Sequence, residues 1–139
     1  MRFETKRISA ERDAIAPDGS EVRVLCQLSR GGLAAFSLAP NAVSKAVVHR
    51  TIEEVWYFTS GHGHIWRRLG ECEEVVEVDP GISISIPTGT YFQFRCDSIE
   101  PLVAIGATMP PWLDCDTPDD LAAARRAWLA NAADTGGER

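Results

Sequence analysis

The 139-residue chain has no apolar run long enough to span a membrane. Its opening Met1-Arg2-Phe3-Glu4-Thr5-Lys6 lacks the apolar core of a signal peptide, so a cytoplasmic location with no membrane partner is expected. Basic residues are scarce: 14 Lys and Arg face 20 Asp and Glu, for a net charge of −6. That balance offers no basic surface for phosphates, and no nucleic-acid partner is expected. Cys26, Cys72, Cys96 and Cys115 are widely spaced and form no CxxC pair. In a reducing compartment they read as small buried apolar groups rather than disulfides or zinc ligands. The chain has no P-loop, no GxGxxG, no GxSxG elbow and no HExxH, so the chemistries of those motifs find no support. Internal repeats and low-complexity tracts are also absent.

What the chain does contain is a succession of short strand signals divided by glycine and proline. At this length and composition it is one domain with room for a real core. Extended runs are expected at 21–28, 33–38, 41–49, 54–58, 64–68, 74–78, 82–86, 91–95 and 102–109. Turns such as Pro17-Asp18-Gly19-Ser20 and Asp79-Pro80-Gly81 separate them. The segment Ile82-Ser83-Ile84-Ser85-Ile86 alternates strictly, as a half-buried strand does. Eight to ten strands with no helix between them predict an all-β sandwich or barrel. After residue 112 the period changes. Thr117-Pro118-Asp119-Asp120 is a helix start, and Leu121, Ala124 and Trp128 share one face of a short C-terminal α-helix at about 118–132. Such a face packs on the barrel wall or on a partner subunit.

Two stretches carry a family pattern. In the first, Glu54 is followed by six residues and Gly61, with His49 upstream; in the second, Gly81, Pro87 and Gly89 keep the spacing Gly-x5-Pro-x-Gly. Together they resemble the paired motifs of the cupin superfamily, in the small single-domain bacterial form. The likeness spans about residues 20–112 and includes Trp56-Tyr57 and Met109-Pro110-Pro111-Trp112. It implies a double-stranded β-helix, or jelly-roll, barrel. It also implies a homodimer, since many cupins pair through their sheets and two-fold dimers are the commonest soluble oligomers.

The resemblance further implies a metal site, and here the sequence departs from the family. With Glu54 aligned, the His-x-His positions hold Val47 and His49, the second-motif His position holds Phe92, and the Asn position holds Cys96. Two of four ligand positions therefore lack a donor, which leaves at most one weakly held divalent first-row metal ion as cofactor. The candidate metal ligands are His49 and Glu54, with His64 as an unconventional third. His62 and His64 share a face at i, i+2, and the sequence alone does not say whether that face is the lumen or the solvent.

Family parity also turns Glu54, Trp56 and Phe58 inward together, and Phe92 with Phe94, while Glu53 faces solvent. A carboxyl among aromatics must be paired, coordinated or held protonated. Trp56, Phe58, Trp66, Phe92 and Phe94 are the candidate ligand-binding residues, either lining an apolar pocket or simply filling the lumen. Two readings follow. One is a small-molecule-binding cupin with an aromatic-lined pocket and a degenerate metal site. The other is a metal-dependent cupin enzyme of the dioxygenase or sugar isomerase/epimerase type. No catalytic residue is assigned by the sequence.

Overall fold

The computed structural model describes residues 3–112. The expected helix at 118–132, with Leu121, Ala124 and Trp128, lies outside the described residues, as does Cys115. Ten strands are present among the described residues, with no α-helix: β1 (Ala14–Ile15), β2 (Glu21–Gln27), β3 (Gly32–Leu38), β4 (Val47–Val48), β5 (Glu53–Ser60), β6 (Gly63–Leu69), β7 (Cys72–Val78), β8 (Ser83–Ile86), β9 (Tyr91–Cys96) and β10 (Leu102–Met109). Each long strand overlaps an expected extended run. The two-residue β1 was not expected, and the run at 41–49 forms only β4 and a single bridge from Val43 to Arg95. Loop 41–46 nonetheless tracks β9, through Ser44 N–H to the Phe94 carbonyl (2.8 Å) and Cys96 N–H to the Ala42 carbonyl (2.9 Å).

The strands form two antiparallel sheets, one ordered β1-β2-β3-β10-β5-β8 and the other β4-β9-β6-β7. Their inner faces close on one apolar core, as sheets with alternating patterning must. In β5 the alternation is strict: Glu54, Trp56 and Phe58 are buried, while Glu53, Val55 and Tyr57 are exposed. In β8, Ile84 and Ile86 point inward between exposed serines, and Ile82 lies just before the strand and is largely exposed. Phe92, Phe94 and Cys96 of β9 join the same core.

Trp56 sits at the centre of the interior. Its ring stacks on Phe36 at 5.2 Å and meets Phe58, Phe92 and Phe94 edge-on at 6.0, 5.9 and 5.2 Å, within the favourable range for aromatic pairs. Gly106 of β10 lies directly opposite Trp56. A Cβ there would stand 2.8 Å from both the Trp56 and Phe36 rings, so glycine is what lets the two rings pack this close to the strand.

A smaller apolar cluster lies on the other face of the four-stranded sheet. It contains Trp66 and Ala46, with Val43, Val75 and Tyr91 packed around them. Trp66 pairs in register with Gln93 and Val75, whereas its neighbour Ile65 pairs with the core residue Phe94. Trp66 therefore does not line the barrel interior. Because side chains alternate along β6, an inward Ile65 forces Trp66 outward.

Candidate functional site

The polar part of the interior is assembled from three segments. The turn after β1 supplies Asp18, the end of β4 leads into His49, and β5 supplies Glu54; all three are buried. His49 Nε2 lies 3.3 Å from Glu54 Oε2. Trp56 Nε1–H donates to Glu54 Oε1 at 2.6 Å, a contact open to it because residues two apart on a strand share a face. Asp18 Oδ1 accepts from the Ser20 N–H (2.8 Å) and hydroxyl (2.7 Å), which closes the Asp-Gly-Ser turn. Thr108 lies directly across from Glu54 in the β5–β10 register. It is completely buried, and its hydroxyl makes no hydrogen bond among the described residues.

Burial sets the electrostatics. Desolvation pushes the Glu54 carboxyl up to about 7; the Trp56 hydrogen bond pulls it down, and the charge of Asp18 raises it further. Desolvation also raises Asp18, opposed by the hydrogen bonds from Ser20 and by the charge of His49. These groups border a cavity of about 10 Å³, walled on its apolar side by Phe36, Val47, Trp56, Phe92 and Trp112. That is room for about one water molecule.

Of the expected ligand-binding residues, Trp56 and Phe92 border this cavity, while Phe58 and Phe94 are packed into the core beyond it. Filling, rather than lining, is what those two rings do. Asp18 and Thr108 were not singled out from the sequence. Asp18 reads there as an ordinary turn residue, and Thr108 as one small polar group in an apolar run.

The donor set does not fit a metal centre. Val47 and Phe92 are buried apolar groups at two of the four family ligand positions, and the Phe92 ring lies 5.8 Å from the His49 ring. Both Glu54 oxygens have protein neighbours in His49 and Trp56. His64 is not the missing third donor, because it pairs in register with Arg95 and Glu77 on the outward face of β6. There its Nδ1 lies 2.6 Å from Asp97, and His62 beside it pairs with Glu77 at 2.5 Å. Among the described residues, no group of three or more His, Cys, Asp or Glu is arranged to hold a metal ion.

Two antiparallel sheets closed on one core, with a polar cluster at one end of the interior, define a protein of the double-stranded β-helix class. The family model for the cupin domain matches residues 34–107, more than half of the sequence, and the chain belongs to the cupin family. Solved structures agree on the fold. KdgF from Halomonas sp. aligns with a TM-score of 0.63 at 13% identity, over 77% of this chain and 94% of that one. BH2720 from Bacillus halodurans aligns with a TM-score of 0.59 at 21% identity, over 65% and 70%. A Klebsiella pneumoniae protein with a double-stranded β-helix domain aligns at 0.59 and 14%, over 84% and 100%. No curated protein sequence matches the chain. At these identities the likeness is one of fold, and function rests on the site.

Proposed function

We propose that this cupin binds a small organic molecule at the end of the barrel bordered by Trp112, with His49 and Glu54 as polar anchors and no requirement for a divalent metal. The burial of Asp18, His49 and Glu54 together carries this reading. An apolar core gains nothing from ionisable groups, and such clusters gather at sites of function. The size of the cavity supports a ligand that inserts one small polar group, such as a hydroxyl or carbonyl, beside Glu54. Its apolar body then stays outside the cavity, against Trp112. Titrating near 7, Glu54 donates a hydrogen bond to that group at lower pH and accepts one at higher pH. The cytoplasm is the proposed compartment; of the cysteines expected to be buried, Cys96 is buried, whereas Cys26 is half-buried and Cys72 exposed.

The test uses chelator-treated protein, small alcohols, ketones and carboxylic acids as probes, and the Trp56 indole N–H as an NMR reporter. Saturable shifts of that resonance are expected without metal and should vanish in Glu54→Ala. The Phe92→His variant adds a third donor facing His49 and should bind zinc at least about tenfold more tightly than the parent. Shifts that require added metal would overturn the metal-free reading, as would purified protein holding a full metal equivalent whose removal destabilises it. Either result would favour the metal-dependent enzyme.

A further inference from the structure

The cavity beside His49 and Glu54 holds about 10 Å³, so a group larger than water enters only when a wall moves. Most of its walls are pinned. Phe36, Trp56 and Phe92 stand on β3, β5 and β9, each of which has a strand paired on either side. Val47 and His49 lie at a sheet edge, but the segment that carries them is fastened to β9 and to the turn before it. Ser44 N–H donates to the Phe94 carbonyl at 2.8 Å, the Gln93 amide to the Ser44 carbonyl at 2.7 Å, and Gly89 N–H to the His49 carbonyl at 2.8 Å.

The wall made by Ala16, Pro17 and Asp18 is built differently. These residues form the tip of the β1–β2 hairpin. β1 is the edge strand of its sheet and pairs Ala14 with Val22 and Ile15 with Glu21. The tip is latched to the facing side of the barrel by Lys45 N–H, which donates to the Asp18 carbonyl at 2.7 Å. Its seal is small, because Ala16 and Pro17 bring little apolar surface. The Asp18 carboxyl takes its hydrogen bonds from Ser20, which moves with it. Swinging the tip outward therefore breaks the latch and leaves the turn intact.

A strap of exposed residues holds the hairpin from outside. Residues 4–13 follow the open edge of β2 without pairing as a strand, and polar side chains replace the ladder. The Asp13 carboxylate accepts from Val24 N–H at 2.7 Å and the Glu4 carboxylate from Gln27 N–H at 3.0 Å. The Arg23 guanidinium donates to the Ser9 and Ala10 carbonyls at 2.9 and 3.0 Å. Asp13 directly precedes β1, so a loosened strap frees β1 and the tip behind it. Exposed segments held by few bonds open locally, at less cost than the core.

We propose that the tip of the β1–β2 hairpin is the gate of the His49–Glu54 cavity. It leaves the Lys45 latch to admit a ligand, and the strap bonds of Asp13 and Arg23 set how often it opens. The inference rests on the reading of that cavity as a binding site. Its test uses no ligand, so a gate that fails and a site that binds nothing give different results.

The test is native-state hydrogen exchange of the full chain, followed by NMR in a series of low urea concentrations. The Trp56 indole N–H, bound to Glu54 in the cavity wall, reports on opening, and the Lys45 amide reports on the latch. Both should exchange through one local opening that depends little on urea. The amides of β10, flanked by β3 and β5, should exchange only by an opening that urea promotes steeply. Arg23→Ala should speed both reporters by the same factor, about tenfold, because charge-assisted hydrogen bonds to the strap are lost. Asp13→Ala should act alike, and Asp13→Asn, which keeps an acceptor for Val24, should act less. A Trp56 indole that exchanges with the steep urea dependence of β10 would overturn the gate, a result that needs no variant. Reporters left unchanged by both Arg23→Ala and Asp13→Ala would overturn the role of the strap. Local exchange of the Trp56 indole without that of Lys45 would mean that another wall, such as Trp112, moves instead.

Discussion

At position 54 the chain places a carboxyl between an indole and an imidazole, out of reach of bulk water. The stability consequence has a definite sign. In the unfolded chain this group releases its proton near the ordinary value of 4.5, whereas in the folded protein it holds it to about 7. Between those values the folded state carries the extra proton, so stability is greatest below the lower one and falls as pH rises through the window. The gap is worth on the order of 3 kcal/mol. Asp18, also raised by burial, acts in the same direction. Urea unfolding at pH 5 and pH 8 should therefore show a loss of stability with rising pH that is clearly smaller in Glu54→Gln. Glutamine keeps an acceptor for Trp56 and cannot ionise. The variant comparison isolates Glu54, because the His62–Glu77 and His64–Asp97 pairs are the same in both proteins. Identical pH dependence in the two would show that Glu54 ionises normally.

At the scale of the strand, β5 and β10 hold the site as one unit. Their register sets Glu54 against Thr108 and Trp56 against Gly106. The glycine is what lets the indole lie close enough to the sheet to reach back to Glu54. Gly106→Ala would drive a methyl group to 2.8 Å from the Trp56 and Phe36 rings. Overpacking of that kind in a filled core costs about 1–3 kcal/mol. The variant should show a lower urea midpoint and a displaced Trp56 indole N–H resonance, because the hydrogen bond to Glu54 is disturbed with the ring. A stable variant with an unmoved resonance would mean that the sheet, rather than the ring, absorbs the strain.

Over the whole molecule, apolar side chains on the outer face of the six-stranded sheet remain open to solvent. Leu33, Val55 and Tyr57 are 42%, 47% and 52% exposed. Their registered neighbours on β10, Ala107 and Ile105, continue the stripe. Exposed apolar patches of this kind mark association surfaces. The homodimer proposed from the family resemblance is expected to use this face. Light scattering should give twice the 15.2 kDa chain mass, and Tyr57→Arg should shift it toward one chain. A single-chain mass for the unsubstituted protein over a wide concentration range would refute the dimer. No helix among the described residues is long and apolar enough to cross a membrane.

The strand series and the parity of β5 and β9 were legible in the sequence because a period of two is a local property. Alternation around Glu54, Trp56 and Phe58, and around Phe92 and Phe94, states which side chains share a face wherever the strand is placed. The spacing of Glu54, Gly61, Gly81, Pro87 and Gly89 likewise set the family, and the loss of donors at Val47 and Phe92 could be counted directly. Which face of β6 turned inward was not a local property. Both faces of that strand carry large side chains, and only its pairing with β9 sent Ile65 to the core and His64 and Trp66 to the other side. The remaining surprises depend on distance in space. Asp18 comes near His49 and Glu54 from a turn some thirty residues earlier in the chain, and its charge acts on both. Arg67 and Thr90 border one cleft because β6 and β9, remote in sequence, pair within one sheet. Periodicity carries the faces of strands, whereas the meeting of remote polar groups is decided by how the sheets close, through contacts that no short window of sequence contains.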